Sequence, residues 1–190
     1  MNMGKFEEEW EKMLRGERYD AFMPEFYERL VRTREVLREY NATAPGDAER
    51  LTAILRGLLG SCGEHIVVNQ PFRCDYGCNI HVGDGFVANF NFTVLDEAEV
   101  RIGRRVLIGP NVSIYTACHP LEREARDAFV EWAEPVTIGD SVWIGGGTTI
   151  LPGVTIGDNV VIGAGSVVTK DIPSNSLAVG NPARVVRSIG

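Results

Sequence analysis

The sequence predicts a mainly β protein: a solenoid whose coil has three flat faces, preceded by a short helical segment. The first observation is a period of six, because isoleucine recurs at Ile138, Ile144, Ile150, Ile156 and Ile162. The second is glycine, which follows four of these five isoleucines and makes up 21 of the 190 residues. A period of six matches neither an α-helix, with about 3.6 residues per turn, nor the alternation of a simple strand. It fits a coil in which each face uses one short strand and one tight turn, and one isoleucine per face fills the core.

The helical segment, residues 1–60, is predicted from three amphipathic stretches. The first ends at Gly16 and has one apolar face, made of Phe6, Trp10, Met13 and Leu14. Pro24 suits the first turn of a second helix. Asp47 is a good N-cap for a third helix, and Gly60 is expected at its C′ position. Because a solenoid has open strand edges at its ends, we expect these helices to cover flank or end surface.

The β domain is predicted over residues 61–190, with the solenoid over roughly residues 61–182 and a C-terminal tail behind it. The same six-residue phase appears upstream at Ile102, Ile108 and Ile114, and less cleanly at Val82, Ala88 and Val94. Tight turns with positive φ are predicted at Gly103–Arg105 and Gly157–Asn159. Ordinary sandwich strands are the alternative, but five consecutive isoleucines in one phase argue against them.

Composition excludes several functional classes. The formal net charge of −7 disfavours nonspecific nucleic-acid binding, which needs a basic face. No apolar run approaches the ~20 residues that span a bilayer, and the N-terminus shows no signal peptide. We therefore expect a cytoplasmic protein with no membrane partner and with reduced thiols at its four cysteines. Cys74 and Cys78 are spaced C-x3-C, but a zinc site would need further ligands, so we expect no metal.

The six-residue phase is interrupted over residues 115–137, and this loop is where we expect the chemistry. Insertions at the corners of a solenoid often build its functional face. The loop is long and polar, and it contains His119, one of three histidines. Histidine is the usual general base near neutral pH, although a lone loop histidine is more often simply exposed. Cys118 precedes it, but neighbours on an extended chain point opposite ways, so we interpret Cys118 as a packing residue.

Several motifs resemble the hexapeptide-repeat sugar O-acetyltransferases, the galactoside and maltose acetyltransferases. The loop begins Thr-x-x-His-Pro-Leu at residues 116–121 and is followed by Pro-Val-x-Ile-Gly-Asp-x-Val-Trp-Ile-Gly. Further matching stretches are residues 74–83, 88–91, 161–173 and 180–184. The helical segment resembles the maltose-acetyltransferase domain of the same family. The resemblance thus runs along almost the whole chain, and its later motifs are shared with other hexapeptide acyltransferases.

The resemblance implies a left-handed parallel β-helix that transfers acetyl from acetyl-CoA to a sugar hydroxyl, without a metal and as a homotrimer. Because the loop leaves one prism and the coenzyme motifs lie on later coils, we expect the site to be shared between subunits. His119 would be the general base, and the backbone N–H of Gly146 would stabilise the oxyanion. The implied sugar contacts are Asp20, Asp75, Asn89 and Glu97. The implied acetyl-CoA contacts are Gly146, Ala164, Thr169, Lys170, Arg184 and Arg187. Val87 stands where the family also has Tyr, which leaves the sugar preference open.

Other functions on this fold remain as alternatives. A zinc enzyme resembling γ-class carbonic anhydrase would need three histidines, and His119 has no near partner in sequence. A noncatalytic hexapeptide scaffold would not need the histidine loop beside the coenzyme motifs. A xenobiotic or serine acetyltransferase would use the same chemistry on another acceptor, but the N-terminal helices favour the sugar group.

Overall fold

The computed structural model describes residues 3–190, so Met1 and Asn2 of the predicted helical segment lie outside the described residues. Three helices come first: α1 (Met3–Leu14), α2 (Pro24–Ala42) and α3 (Ala48–Leu58). Pro24 occupies the first turn of α2, as predicted. The predicted N-cap of α3 is also confirmed, because the Asp47 side chain accepts a hydrogen bond from the Arg50 N–H at 3.2 Å.

A parallel β-solenoid of about six turns follows, and its three sheets form the faces of a triangular prism. Face 1 contains β1 (Ser61–Cys62), β4 (Ile80–Val82), β7 (Val100–Ile102), β12 (Val136–Ile138) and β15 (Thr155–Ile156). Face 2 contains β2 (Ile66–Val68), β5 (Phe86–Ala88), β8 (Leu107–Ile108), β13 (Trp143–Ile144), β16 (Val160–Ile162), β18 (Ser176–Val179) and the antiparallel β19 (Arg184–Ser188). Face 3 contains β3 (Phe72–Cys74), β6 (Phe92–Leu95), β9 (Ser113–Tyr115), β14 (Thr149–Ile150) and β17 (Val167–Val168).

The isoleucine period fills the interior of this prism. Ile138 pairs with Ile156 on face 1, and Ile144 pairs with Ile162 on face 2. All five isoleucines of the repeat are buried, and so are the residues four positions after each, namely Val142, Thr148, Val154, Val160 and Ser166. Each face therefore contributes two inward side chains per coil. This explains why small and β-branched residues recur four positions after each isoleucine.

The turns between faces are tight, as the sequence predicts. Arg105 and Asn159 both adopt positive φ, at 54° and 51°. This is the left-handed region, which asparagine tolerates better than most residues. The two runs that the sequence marks as turns, Gly103–Arg105 and Gly157–Asn159, thus lie at prism edges between faces 1 and 2.

Helices α2 and α3 cover the N-terminal end of the solenoid, which confirms the expected cap. Leu37 and Tyr40 of α2, together with Leu55 and Leu58 of α3, belong to the same buried cluster as the first coil. The Tyr40 hydroxyl donates to the carbonyl of Val68 in β2. The apolar surface of the first coil is therefore buried by the chain itself rather than left open for another strand.

Gly60 follows α3 as predicted, but for a different physical reason than the one expected. A C′ glycine normally adopts positive φ, and Gly60 is not among the residues that do. A Cβ at Gly60 would instead lie 2.1 Å from the carbonyl oxygen of Cys78 and 2.6 Å from the ring of His81. Glycine is needed here because the chain passes directly against the second coil.

The edge between faces 3 and 1, called here the 3–1 edge, carries the loop that interrupts the repeat. The loop contains the antiparallel pair β10 (Ala117–Cys118) and β11 (Trp132–Ala133), with the short helix α4 (Arg123–Asp127) between them. It contacts the helical segment, because Tyr19 forms an antiparallel bridge with Glu131. The edge between faces 2 and 3, called the 2–3 edge, has short turns throughout.

Candidate active site

Most of the predicted site residues fall into two groups on different edges of the prism, and three lie elsewhere. Five of them lie on the 3–1 edge, four directly after strands of face 3 and His119 on the loop that leaves this face: Asp75, Glu97, His119, Thr169 and Lys170. Three follow strands of face 2 and lie on the 2–3 edge: Asn89, Gly146 and Ala164. The remaining three lie elsewhere, with Asp20 in the α1–α2 linker and Arg184 and Arg187 on β19. One chain therefore does not assemble all of these residues into one pocket.

The second group lines a groove of about 490 Å³ along face 2. Asn89, Trp143, Gly146 and Ala164 all contribute to its wall. Trp143 is 55% exposed and offers an apolar surface to a ligand. The neighbouring Gly145 leaves no room for a side chain, because a Cβ there would lie 2.5 Å from the backbone nitrogen of Ala164. The groove is thus formed largely by backbone and one large aromatic side chain.

Two backbone N–H groups in this groove have no partner within residues 3–190. The N–H of Gly145 donates to Ile162 and that of Gly147 to Pro110, whereas the N–H of Gly146 between them makes no such bond. Ala164 stands in the same position one coil later, and its N–H is also free. Neighbouring strands are about 4.8 Å apart, so the two donors are spaced to bind two carbonyl groups of one extended ligand.

The 3–1 edge presents a group of carboxylates. Asp96 is fully buried, and its Oδ1 accepts hydrogen bonds from the N–H groups of Asp75 at 3.0 Å and Tyr76 at 2.9 Å. Its Oδ2 is buried without a partner among the described residues. Burial raises the pKa of Asp96 to about 6, although the two backbone N–H groups act in the opposite direction.

Asp75 and Glu97 lie on turns that follow the neighbouring strands β3 and β6 of face 3. Burial and, to a smaller extent, the negative charge of Asp75 together raise the pKa of Glu97 to about 9. Glu97 Oε2 also lies 3.3 Å from the hydroxyl of the buried Thr116, at the start of the loop. The two predicted sugar contacts therefore lie on adjacent turns.

His119 lies on the loop with half of its side chain exposed. Its Nε2 is 3.8 Å from Oε1 of Glu131, and the Tyr19 hydroxyl donates to Oε2 of the same carboxylate at 2.9 Å. Burial raises the pKa of Tyr19 well above its usual value, so its phenol keeps the proton. Glu131 is therefore held from the helical side and faces the imidazole.

Asp20 is positioned by α1. Its backbone N–H donates to Glu9 Oε2 at 2.7 Å, and Glu9 is itself buried and paired with Lys12. The linker also contacts the loop through Phe22 and Phe129, whose rings meet edge to face at 4.7 Å. The predicted sugar contact Asp20 thus lies where the cap meets the histidine loop.

The predicted phosphate contacts are exposed. Lys170 lies on the 3–1 edge, whereas Arg184 and Arg187 lie on β19, opposite Val179 and Leu177 of β18. Their positive charges are available to an anion, but the structure does not bring these three residues together within one chain. Their roles remain predictions.

Cys118 shows no sign of an activated nucleophile. Its Sγ lies 3.7 Å from the carbonyl oxygen of Thr116, and burial raises the pKa of its thiol to about 11.

All four cysteines are free. Within residues 3–190, His, Cys, Asp and Glu form no group of three that could hold a metal ion. None of the helices in this range is both long and apolar enough to cross a membrane.

Three residues of this site, Tyr19, Asp96 and Glu131, are not among those predicted from the sequence. Asp96 directly precedes a residue that is singled out, and Glu131 is one of several acids in the loop. Only their contacts distinguish them, because Tyr19 and Glu131 are 112 positions apart and Asp96 acts on a turn of the previous coil.

Comparisons with known proteins agree with this architecture. Residues 12–63 match the family described as maltose acetyltransferase hexapeptide capping motif, and residues 135–170 match the bacterial transferase hexapeptide. Nodulation protein L of Rhizobium meliloti is 51% identical, over 92% of this chain and 96% of that protein.

Solved structures give the same result. A maltose O-acetyltransferase from Clostridium difficile superposes with a TM-score of 0.94 at 51% identity, covering 96% of this chain and 97% of that one. A galactoside acetyltransferase in complex with coenzyme A gives 0.92 at 41% identity, covering 96% and 91%. The predicted fold class, a left-handed parallel β-helix behind a helical segment, is thereby confirmed.

Proposed function

Because this chain belongs to the hexapeptide-repeat family of maltose and galactoside O-acetyltransferases, we propose that it transfers the acetyl group of acetyl-CoA to a sugar hydroxyl. The observation that carries the proposal is the groove with the two free N–H groups of Gly146 and Ala164. Such a pair suits a thioester carbonyl and a pantetheine amide, and the galactoside relative has coenzyme A bound.

The residues of the groove fit acetyl-CoA. Trp143 and the glycine backbone favour a slender, partly apolar chain such as pantetheine. Lys170, Arg184 and Arg187 would bind its phosphates, since exposed cations at the C-terminal end of the solenoid suit a polyanion. These assignments follow the family motifs and are supported by the position of Gly146 and Ala164.

His119 acts as the general base in this proposal. A sugar hydroxyl is a weak acid, so its proton must leave as the oxygen attacks the thioester carbon. His119 takes that proton while the N–H of Gly146 stabilises the oxyanion. As the C–S bond breaks, His119 returns the proton to the coenzyme A thiolate. Glu131, facing the imidazole, stabilises the imidazolium that exists between the two proton transfers.

We further propose that the active site is shared between subunits of a homotrimer. His119 lies on the 3–1 edge of a prism, whereas Gly146 lies on the 2–3 edge, so neighbouring prisms would bring the two edges together. Face 2 also presents a continuous outward ladder of apolar side chains, formed by Val67, Val87, Leu107, Trp143, Val161 and Leu177. Such a surface suits a closed cyclic assembly.

The first test is His119→Ala, with acetyl transfer followed by release of the coenzyme A thiol. We expect a loss of about 10²–10⁴-fold, with acetyl-CoA binding nearly unchanged. The matched control is His65→Ala, because His65 is exposed at an edge between faces 1 and 2 and should not affect transfer. Activity of His119→Ala within threefold of the parent at pH 7 would reject His119 as the general base.

The same assay with glucosides, galactosides, xenobiotics and serine identifies the acceptor class. Absence of transfer to any of them would favour a noncatalytic scaffold.

The second test is complementation between inactive chains. His119→Ala chains and Gly146→Trp chains are unfolded and refolded together, so that subunits assort at random. If the two groups come from different subunits, about one quarter of the sites in a trimer regain both. If they come from one chain, no activity returns.

The predicted cytoplasmic location is also part of the proposed function, since the reaction needs a supply of acetyl-CoA.

A further inference from the structure

A cleft of about 430 Å³ lies where α2 packs against β3, the first strand of face 3. Its floor is apolar, because Leu37 of α2 and Phe72 of β3 line it and both belong to the buried core of the prism. Its volume falls within the ~300–1,000 Å³ that is usual for small-molecule sites. Of the residues that line it, only Asp75 is a predicted sugar contact.

The cleft concentrates positive charge. Arg34 and Arg38 of α2 and Arg73 of β3 all line it, and Asp75 is the one acid in the lining. Within the part of the chain that the structure describes, none of the three arginines forms an ion pair. Arg34 and Arg38 are four positions apart on one helix, where like charges are destabilising. In a chain of net charge −7, such a local conflict is typical of a functional site.

The two walls of the cleft are held at a fixed distance by Asn41. Its side-chain amide donates to the carbonyl of Phe72 at 3.0 Å, and its side-chain oxygen accepts from the N–H of Phe72 at 2.9 Å. Because β3 is the edge strand of face 3, these bonds also satisfy an otherwise open strand edge. Arg73 follows Phe72 and is exposed, so the same two bonds hold its backbone across the cleft from Arg34 and Arg38. The width of the cleft is therefore set before a ligand binds.

The lining residues indicate the chemistry of the ligand. Guanidinium groups bind carboxylates and phosphates, because their planar forks donate two parallel hydrogen bonds to two oxygens. The Asp75 carboxylate adds acceptors that suit the hydroxyls of a sugar. Arg73 and Asp75 are two positions apart, about 7 Å along an extended chain, which is comparable with the width of a pyranose ring. The cleft thus fits a sugar that carries an anionic group beside its hydroxyls.

We propose that this cleft binds an acidic sugar, whose carboxylate or phosphate contacts Arg34, Arg38 and Arg73 while its hydroxyls donate to Asp75. Asp75 lies on the same prism edge as the histidine loop, so the acidic sugar is part of the acceptor. A neutral sugar gains nothing from the guanidinium groups, and the site therefore selects acidic acceptors. The acceptor role rests on the proposed function, whereas anion binding rests on the cleft alone.

Equilibrium binding without acetyl-CoA tests the cleft itself. Glucuronate, glucose 6-phosphate and glucose are titrated into the protein by calorimetry, so that a carboxylate, a phosphate and a neutral group are compared at one position of the ring. We expect at least one acidic sugar to bind about tenfold more tightly than glucose, and added salt to weaken its binding. The tighter of the two acids identifies the anion. Equal affinities for all three sugars would overturn the proposal.

Arg34→Gln and Arg73→Gln each remove one guanidinium from one wall of the cleft. The matched control is Arg32→Gln, which removes the same charge from an exposed position of α2 outside this cleft. We expect each cleft variant to bind the acidic sugar about tenfold more weakly, and the control to stay within twofold of the parent. An equal loss in the control would mean that only net charge matters, and the proposal would be wrong. Sedimentation equilibrium shows whether a variant changes subunit assembly, in which case the arginines bind a second copy of the chain instead.

Acetyl transfer tests the acceptor role. The preference for the acidic sugar over glucose, measured as the ratio of their kcat/KM values, should fall about tenfold in Arg73→Gln and persist in Arg32→Gln. Tight binding of the acidic sugar with transfer to glucose alone would overturn the acceptor role. Tight binding with no transfer to any sugar would support the anion site and count against the proposed function instead, so the two failures are distinguishable.

Discussion

Replacing the buried Asp96 by Asn should change how the stability of the protein depends on pH. Asp96 is fully buried, and one of its carboxylate oxygens has no partner among the described residues. Burial raises its pKa from 3.8 to about 6. The folded state therefore binds this proton more tightly than the unfolded state does, and Asp96 favours folding most at low pH. That contribution is lost as the pH rises from about 3.8 through 6.

The size of the effect follows from the two pKa values. A rise from 3.8 to about 6 corresponds to a loss of ~3 kcal/mol when the pH is raised from well below to well above both values. About 2 kcal/mol of it falls between pH 4.5 and pH 7.5. Asn cannot ionise, so relative to the parent the variant should gain this amount over that range. The extra amide donor of Asn shifts the free energy of unfolding by the same amount at every pH, so it does not affect how the difference changes with pH.

Urea unfolding at pH 4.5, 6.0 and 7.5, at one protein concentration, measures the difference in the free energy of unfolding between variant and parent. Asp140→Asn is the matched control, because Arg104 lowers the pKa of Asp140 below its ordinary 3.8, so this carboxyl is ionised in both states and its difference should stay nearly constant over this pH range. A difference for Asp96→Asn that is flat or falls with pH would refute the reasoning. It would mean that the backbone donors from Asp75 and Tyr76 outweigh burial.

Two further predictions concern the fold. Ile144→Ala should lower the free energy of unfolding, measured in urea, by about 2–5 kcal/mol because Ile144 is fully buried in the prism. The control Thr137→Ala, on the exposed side of face 1, should change it by no more than about 0.5 kcal/mol. Equal effects of the two substitutions would contradict the stacked core. Gly60→Ala should lower the melting temperature because its Cβ would meet the Cys78 carbonyl, whereas Gly57→Ala in α3, with open space around its Cβ, should leave it unchanged or raise it. An unchanged melting temperature for Gly60→Ala would contradict the close approach of these two segments.

The fold is predictable from sequence to an unusual degree because its pattern is local and repeated. Each isoleucine of the repeat lies on one face, and the next one along the chain lies on the next face. The period therefore reports the coil directly, without knowledge of distant contacts. The interruption after Ile114 likewise marks the loop. Gly60 shows the limit of local reasoning. Its position at the end of α3 predicts a C′ glycine, but glycine is needed there because the Cys78 carbonyl of the next coil leaves no room for a Cβ.

The site is predictable only as a set of residues. Motif resemblance selects His119 and Gly146, but it does not indicate that they lie on different edges of the prism. It also selects Asp75 and Glu97 separately, and neither the resemblance nor their spacing indicates that they follow neighbouring strands of one face. These properties depend on which turns stack, and the length of each coil determines that.

The sequence by itself determined the period, the three-faced coil, the helical cap and the location of the chemistry in the interrupted turn, because these depend on side-chain patterns within a few residues. Only the tertiary structure decided that Asp96 holds the Asp75 turn, that Tyr19 reaches Glu131 across 112 positions, and that two N–H groups remain free in one groove. Protonation, positioning and unpaired backbone groups depend on desolvation and on hydrogen bonds between distant segments, and these exist only once the coils are stacked.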